Sequence, residues 1–142
     1  MEVNTLNKRQ EEVVEEFSYF DDWMDKYEHI IEIGKALNRM PDAQKSEDLL
    51  IKGCQSRVWL NAHTANGQVR FSADSDAIIT RGLVALMVRV LDGLEPATVA
   101  GADLWFLDKI GLKEHLSPTR ANGLLAMIKQ MKTYGLVFAA QS

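Results

Sequence analysis

The sequence predicts an α+β fold in which a small antiparallel β-sheet is packed on one face by N- and C-terminal helices. Three observations lead to this prediction. Apolar residues recur every three or four positions before residue 37 and after residue 117, as in amphipathic helices. Between these segments, two runs alternate apolar and polar residues around Asn66-Gly67, the strongest short signal for a β-hairpin. The third observation is the length of 142 residues, which predicts a single domain over 1–142.

Composition narrows the functional classes. No apolar run approaches the ~20 residues of a membrane span, and the N-terminus is polar and acidic, so we predict neither a membrane segment nor a signal peptide. A single cysteine makes no internal disulfide, which favours the cytoplasm or an equivalent reducing compartment. The formal net charge is −4, and residues 1–40, 41–108 and 109–142 contribute −5, −3 and +4. This distribution is unlike that of nucleic-acid-binding proteins.

The N-terminal part predicts two helices. Residues 1–10 are polar, and we expect them to be frayed. Asp21-Asp22 interrupts an apolar stripe, which predicts helices over about 8–20 and 22–37, with Asp22 as the N-cap of the second. The stripe consists of Val13, Phe17, Phe20, Met24, Tyr27 and Ile31.

The middle of the chain predicts a loop over 38–48, a hairpin over about 56–63 and 68–74, and then a helix. Asp74 or Ser75 is the expected N-cap of that helix, with Asp76 in its first turn. Gly93 and Pro96 mark its end. Its predicted buried positions are Ile79, Leu83, Leu86, Met87 and Val90.

The C-terminal part predicts a short helix over 104–110 and a long final one. Ser117 is the expected N-cap of the final helix and Pro118 its first residue. Its predicted apolar face consists of Leu124, Met127, Ile128, Met131 and Tyr134.

The chain's only cysteine, Cys54, lies in a short polar segment between two apolar arms at 49–51 and 58–60. Gly53 precedes it, and Gln55, Ser56 and Arg57 follow. Because glycine has no Cβ, it allows another surface to come close to the thiol. Two interpretations are open: a reactive thiol on a loop, or a small buried hydrophobic side chain.

Several kinds of site are not indicated. The chain has no phosphate-binding loop, and one cysteine with three widely separated histidines does not predict a metal site or a bound cofactor. A cysteine hydrolase or thioesterase-like enzyme remains an alternative, and it would need His115 beside Cys54 in the fold. His63 follows Cys54 on the same strand but lies nine residues further on, too far to act directly as its base.

Arg120 is unusual because it occupies the third position of the final helix, where the helix dipole disfavours a cation. One explanation is an ion pair with Asp74. Another is that Arg120 and the helix N-terminus form an anion-friendly pocket that stabilises a thiolate or persulfide. An exposed arginine or ion pair without functional consequence is equally open.

Taken together and in this order, four motifs resemble the SufE family, including its CsdE relatives, and the resemblance runs from about residue 17 to residue 132. The first two motifs lie at 31–35 and 51–60, and the second contains Gly-Cys-Gln-Ser-x-Val-Trp. The other two are Ala-Asp-Ser-Asp-Ala at 73–77, followed by Gly82-Leu83, and His-Leu-Ser-Pro-Thr-Arg-Ala-Asn-Gly-Leu at 115–124. Arg57 departs from the pattern, because relatives often have glutamine there.

The resemblance implies a fold similar to that of the IscU-type cluster scaffolds, and a sulfur carrier rather than an enzyme. Cys54 would take persulfide sulfur from a pyridoxal-phosphate-dependent, SufS/CsdA-like cysteine desulfurase and pass it to an iron–sulfur scaffold. The chain would stimulate the desulfurase, bind no cofactor itself, and exist as a monomer or weak homodimer. The residues expected to contact the partner or tune the thiol are Gly53, Gln55, Ser56, Arg57, Asp74, His115 and Arg120.

An exposed thiolate is open to oxidation. We therefore expect Cys54 to rest against apolar side chains when the protein is alone, and to move outward when a partner docks. The expected neighbours are Val58, Leu86 and Met127.

Overall fold

A computed structural model describes residues 2–141 and confirms the α+β fold class. The helices are α1 (Glu2–Ser18), α2 (Trp23–Lys35), α3 (Ile78–Leu91), α4 (Pro96–Ala100), α5 (Phe106–Lys109), α6 (Leu112–His115) and α7 (Pro118–Gln141). The strands are β1 (Val58–Ala65) and β2 (Gln68–Ser75), and two short 3-10 turns at Asp42–Gln44 and Glu47–Leu49 lead into β1. Within the described residues, no helix is long and apolar enough to cross a membrane.

The hairpin forms where the sequence predicts it. β1 and β2 pair antiparallel, with Val58 opposite Ser75 and Ala65 opposite Gln68. Asn66 and Gly67 have φ angles of 55° and 76°, the left-handed conformation that this two-residue turn requires. β1 therefore lies two residues further along the chain than predicted, and β2 begins at the predicted residue and ends one residue later.

The hydrophobic core lies between the sheet and the helices. α3 packs against β2, α7 packs against β1, and α1 and α2 reach this layer through α3. Eight of the fourteen residues of α3 are buried, so this helix forms the centre of the core. The predicted buried face of α7 is confirmed for its first four positions, and Tyr134 is half-buried.

Two predictions for the N-terminal helices are wrong. Residues 2–10 are not frayed, because α1 begins at Glu2 and buries Leu6 and Gln10. The amide of Gln10 bonds to Asp103 O at 3.1 Å and accepts from Phe106 N at 3.1 Å, which fixes this segment to the chain before α5. The apolar stripe does not continue unchanged into α2, since Met24 is 72% exposed and Ile30 is fully buried.

Helix caps follow the sequence at two of three sites. Asp22 caps α2 by accepting from Asp25 N at 2.9 Å, and Ser117 accepts from Arg120 N at 3.2 Å at the start of α7. The expected cap of α3 is wrong. Ala77 precedes α3 without a side-chain cap, because Asp74 and Ser75 complete β2 and their side chains have other partners.

Candidate functional site

The segment 52–57, here called the Cys54 loop, is closed at its base by backbone contacts. Ile51 N donates to Val58 O at 2.9 Å, and Leu50 forms a bridge with Trp59. Gly53 has a φ of 91°, which a residue with a Cβ rarely adopts. The loop therefore leaves and re-enters the sheet at neighbouring points and projects Cys54 from its edge.

The end of the loop is anchored to the turn between β2 and α3. Asp76 accepts a hydrogen bond from Arg57 N at 3.0 Å, and Arg57 O accepts from Ser75 Oγ at 2.8 Å and from Asp76 N at 3.2 Å. Ser56 accepts from Thr80 Oγ1 at 3.5 Å. Ser75 and Asp76 thus hold the Cys54 loop instead of capping α3.

The thiol of Cys54 rests against α7. Its Sγ donates to Gly123 O at 3.5 Å, and a Cβ added to Gly123 would lie 3.3 Å from that sulfur. The absence of a side chain at position 123 is therefore what lets the thiol approach the helix so closely. Cys54 is half-buried in this position.

A small cavity of about 40 Å³ opens beside the sulfur. Val58 and Met127 line it, as predicted, but Leu86 does not. Leu86 lies one turn further along α3, deeper in the core, and Leu83 takes the expected place. The complete lining is Cys54, Gln55, Ser56, Val58, Thr80, Leu83, Thr119, Arg120, Gly123, Leu124 and Met127.

Burial raises the pKa of the Cys54 thiol. The polar group on the sulfur is a carbonyl oxygen, which accepts the S–H proton and does not stabilise a thiolate. Arg120 lines the cavity and is exposed, but no hydrogen bond joins it to the sulfur. In this resting arrangement, burial and the carbonyl contact disfavour the thiolate, and the stabilisation of a persulfide by Arg120 and the start of α7 stays a prediction.

Asp74 does not line the cavity beside the thiol and is instead the centre of a buried cluster of ion pairs. It is fully buried and pairs with Arg39 at 3.1 Å, Lys45 at 3.2 Å and Arg81 at 3.4 Å. Burial by itself would raise the pKa of Asp74. Hydrogen bonds from Ser75 N, Lys45 and Arg39 have the larger combined effect in the opposite direction, so the pKa is lowered overall. The predicted ion pair between Asp74 and Arg120 is wrong, since the cations of other segments surround this carboxylate.

His115 is engaged elsewhere. Its ring stacks on Trp23 with centroids 4.0 Å apart, and its Nδ1 lies 2.9 Å from Gly111 O. Tyr27 Oη donates to the His115 carbonyl. Among residues 2–141, no histidine lines the cavity beside Cys54 and no three potential ligands are grouped to hold a metal ion.

The structure thus brings Cys54 together with Gln55, Ser56 and Arg120, and keeps Asp74 and His115 apart from it. Sequence reasoning missed Gly123 as the seat of the thiol and Asp76 as an anchor of the loop. Gly123 could have been noticed, because a glycine in the interior of a predicted helix is unfavourable without a reason such as close packing. Nothing in the sequence links Asp76 to Arg57 before the hairpin is folded.

Comparison with known proteins identifies the family. A family model for SufE, described as an Fe-S metabolism associated domain, matches residues 11–135. An uncharacterized SufE-like protein of Rhizobium etli is 38% identical over 135 residues, which cover 92% of this chain and 91% of that protein. A SufE-like protein of Rhizobium meliloti is 38% identical over 128 residues, which cover 87% of this chain and 91% of the relative.

The fold also has a solved counterpart. The solution structure of a hypothetical protein from Thermus thermophilus superposes with a TM-score of 0.76 at 20% sequence identity, covering 94% of this chain and 97% of that one. At this identity the likeness concerns the fold alone. The family model and the two relatives, each matched over most of its length, show that the chain belongs to the SufE family and acts in iron–sulfur metabolism.

Proposed function

We propose that this protein accepts sulfur from a pyridoxal-phosphate-dependent cysteine desulfurase on Cys54, stimulates that enzyme and passes the sulfur to an iron–sulfur scaffold. The observation that carries the proposal is the placement of Cys54. The only cysteine of a SufE-family chain lies on a loop at the edge of the sheet, half-buried beside a small cavity. The protein acts as a stoichiometric partner and uses no cofactor of its own.

The transfer is a thiol exchange. Cys54 loses its proton, and its thiolate attacks the terminal sulfur of the donor persulfide. The bond between that sulfur and the donor cysteine breaks, the donor leaves as a thiolate and takes up a proton, and a persulfide remains on Cys54. A lone cysteine suits a carrier, because a second thiol nearby would release the sulfur as sulfide.

The resting geometry protects this chemistry until a partner arrives. A raised pKa keeps the thiol protonated, and the contact with Gly123 limits access to the sulfur. The loop must therefore move away from α7 for the thiol to ionise and reach a donor. The cavity of about 40 Å³ has room for one or two water-sized groups, and so for the terminal sulfur of a persulfide.

The hydrolase alternative finds no support in the geometry. Such an enzyme would need a base within hydrogen-bond reach of the nucleophile and N–H donors for an oxyanion. Here the polar neighbour of Sγ is a carbonyl oxygen, and His115 is held against Trp23.

Intact mass measured without reductant tests the proposal. The protein is incubated with a cysteine desulfurase, pyridoxal phosphate and cysteine, and we expect mass to increase in steps of one sulfur atom. Cys54→Ser, the matched control, should gain none. A wild-type protein that stays unmodified with several desulfurases would contradict the acceptor role, and if it still stimulated the enzyme it would be an activator only.

A further inference from the structure

The two ends of α7 are held in different ways. Near the C-terminal end, a Cβ added to Gly135 would lie 2.8 Å from both Ala100 N and Pro96 O, so α4 packs directly against the backbone of α7. In the first turn, residues 118–120 all have exposed side chains, and two of them line the cavity beside Cys54. The burial of its own side chains therefore contributes little to holding this turn in place.

Contacts between α2 and the residue that ends α6 support the start of α7. The ring of His115 stacks on the indole of Trp23, with centroids 4.0 Å apart and planes at 14°. Tyr27 Oη donates to the carbonyl of His115, and the Tyr27 ring meets Trp23 edge to face with centroids 5.7 Å apart. His115 Nδ1 lies 2.9 Å from Gly111 O, which fixes the imidazole ring from another side. We call Trp23, Tyr27 and His115 the aromatic clamp.

The aromatic clamp lies at the surface of the domain. Trp23 and Tyr27 are half-buried and His115 is exposed, although Leu116, the next residue, is buried. A stacked aromatic pair or a hydrogen bond of this kind changes a local equilibrium by roughly threefold to tenfold. Contacts of that strength contribute modestly to the stability of the whole domain, but they control how often the end of a helix opens.

We propose that the aromatic clamp positions the seat of Cys54. By keeping the first turn of α7 closed, it completes one wall of the cavity and keeps the thiol against Gly123. None of its three residues lines the cavity, so they act on the thiol through α7. The inference deepens the function proposed above and rests on it, because a guarded thiol serves a protein whose cysteine carries sulfur.

The clamp has a measurable consequence for the reactivity of the thiol. When the first turn opens, Thr119 and Arg120 leave the cavity wall, and the sulfur of Cys54 becomes accessible from that side. If the turn opens and closes faster than a reagent attacks, the reaction rate follows the population of the open state. Loss of a clamp contact should therefore raise the reactivity of Cys54.

Alkylation of the free protein by iodoacetamide at a fixed pH tests the clamp. Trp23→Leu removes the stack on His115, and Tyr27→Phe removes only the hydrogen bond to the His115 carbonyl. Trp105→Leu is the matched control, because Trp105 is also half-buried and donates to Asn7 Oδ1 at 3.0 Å, but does not line the cavity. We expect each test variant to react roughly threefold to tenfold faster than wild type, and the control to react at the wild-type rate.

Thermal denaturation of the same proteins separates positioning from general stability. If Trp105→Leu lowers the Tm as much as Trp23→Leu and reacts equally fast, the effect comes from global opening and the clamp is rejected. Test variants that react at the wild-type rate also reject it. Should Trp23→Leu fail to fold, the milder Tyr27→Phe decides the question.

Intact mass after incubation with a cysteine desulfurase keeps this inference apart from the proposed function. A wild-type protein that gains no sulfur would contradict the acceptor role, while faster alkylation of the test variants would still show that the clamp positions the thiol. A wild-type protein that gains sulfur, together with test variants that are alkylated no faster, would leave the acceptor role standing and remove the clamp alone.

Discussion

Two close contacts made by glycine hold different parts of this molecule. Where α2 crosses α3, a Cβ added to Gly82 would overlap Ile30 O and lie 2.5 Å from Ile30 Cγ2. Where the Cys54 loop meets α7, a Cβ added to Gly123 would lie 3.3 Å from Cys54 Sγ. The first contact is with the backbone of a helix, whereas the second is with a side chain on a loop.

The difference separates what must be rigid from what must move. Helix backbones cannot give way without disturbing the whole core, so the crossing at Gly82 allows no side chain. The Cys54 loop is held by a few hydrogen bonds at its ends and by one S–H···O contact. A protein whose thiol must leave its resting position needs a contact that can open, such as the one between Gly123 and the Cys54 side chain.

The largest effect should follow a substitution at the rigid contact. Gly82→Ala adds a methyl group that overlaps the backbone oxygen and the side chain of Ile30, so α2 and α3 must move apart. Overpacking of this kind outweighs the better helix propensity of alanine, and we expect a loss of about 2 kcal/mol or more in the free energy of unfolding. Thermal denaturation should show a Tm lower by roughly 5 °C or more.

Gly101→Ala is the control for the rigid contact. A Cβ at this position would meet Ala97 O at 3.5 Å, an ordinary distance, so we expect its stability to stay close to that of wild type. A Gly82→Ala protein as stable as Gly101→Ala would show that the helix crossing is not tightly packed.

A second prediction concerns the charged cluster that joins the chain before β1 to the end of β2. Asp74→Asn removes a fully buried carboxylate and leaves Arg39, Lys45 and Arg81 without their shared partner. We expect the free energy of unfolding to fall by about 1–3 kcal/mol. This is less than for a fully buried ion pair, because the three cations keep some contact with solvent.

The same cluster predicts a pH dependence. Since the pKa of Asp74 is lowered in the folded protein, its contribution is complete above its unfolded pKa of about 3.9 and is lost as the pH falls through the folded pKa. Wild-type Tm should therefore drop more steeply than that of Asp74→Asn when the pH is lowered from about 5 to 3. Parallel curves for the two proteins would mean that the carboxylate contributes little.

The structure also shows which parts of the fold local sequence patterns can predict. Patterns of period two and three to four, with Asn66-Gly67 between them, are local signals, and they were enough for the fold class, the hairpin and most of the core. The stripe from Phe17 to Ile31 failed at its middle because the turn before Trp23 resets the helix phase. A local pattern does not carry across such a turn.

The site was predicted less completely, for a related reason. Cys54 could be singled out as the only cysteine in a short polar segment, but its neighbours in space come from α3 and α7. Asp74 and Asp76 occupy one motif and have different roles, because Asp74 lies within β2 and is buried, whereas Asp76 follows the end of that strand and is exposed. The ion pairs and the seat on Gly123 depend on long-range packing that no spacing reveals.

We expect the smallest effect on stability at the contact between Gly123 and Cys54, here called the yielding contact. A substitution there also tests the comparison most directly. Gly123→Ala leaves the new methyl group 3.3 Å from Cys54 Sγ, and the loop can shift by the few tenths of an ångström needed. We expect a change below about 1 kcal/mol in stability. Because the thiol loses part of its burial, its pKa should fall toward the ordinary value of about 8.5.

Alkylation by iodoacetamide across a pH series would measure this shift. Wild type should show a midpoint above about 8.5, and Gly123→Ala a lower one, with a rate near pH 7 about threefold to tenfold higher. Gly101→Ala should follow the wild-type curve. If Gly123→Ala loses as much stability as Gly82→Ala while its thiol stays equally slow, the loop is as rigid as the core, and the seat of Cys54 on α7 cannot be the yielding contact that sulfur transfer requires.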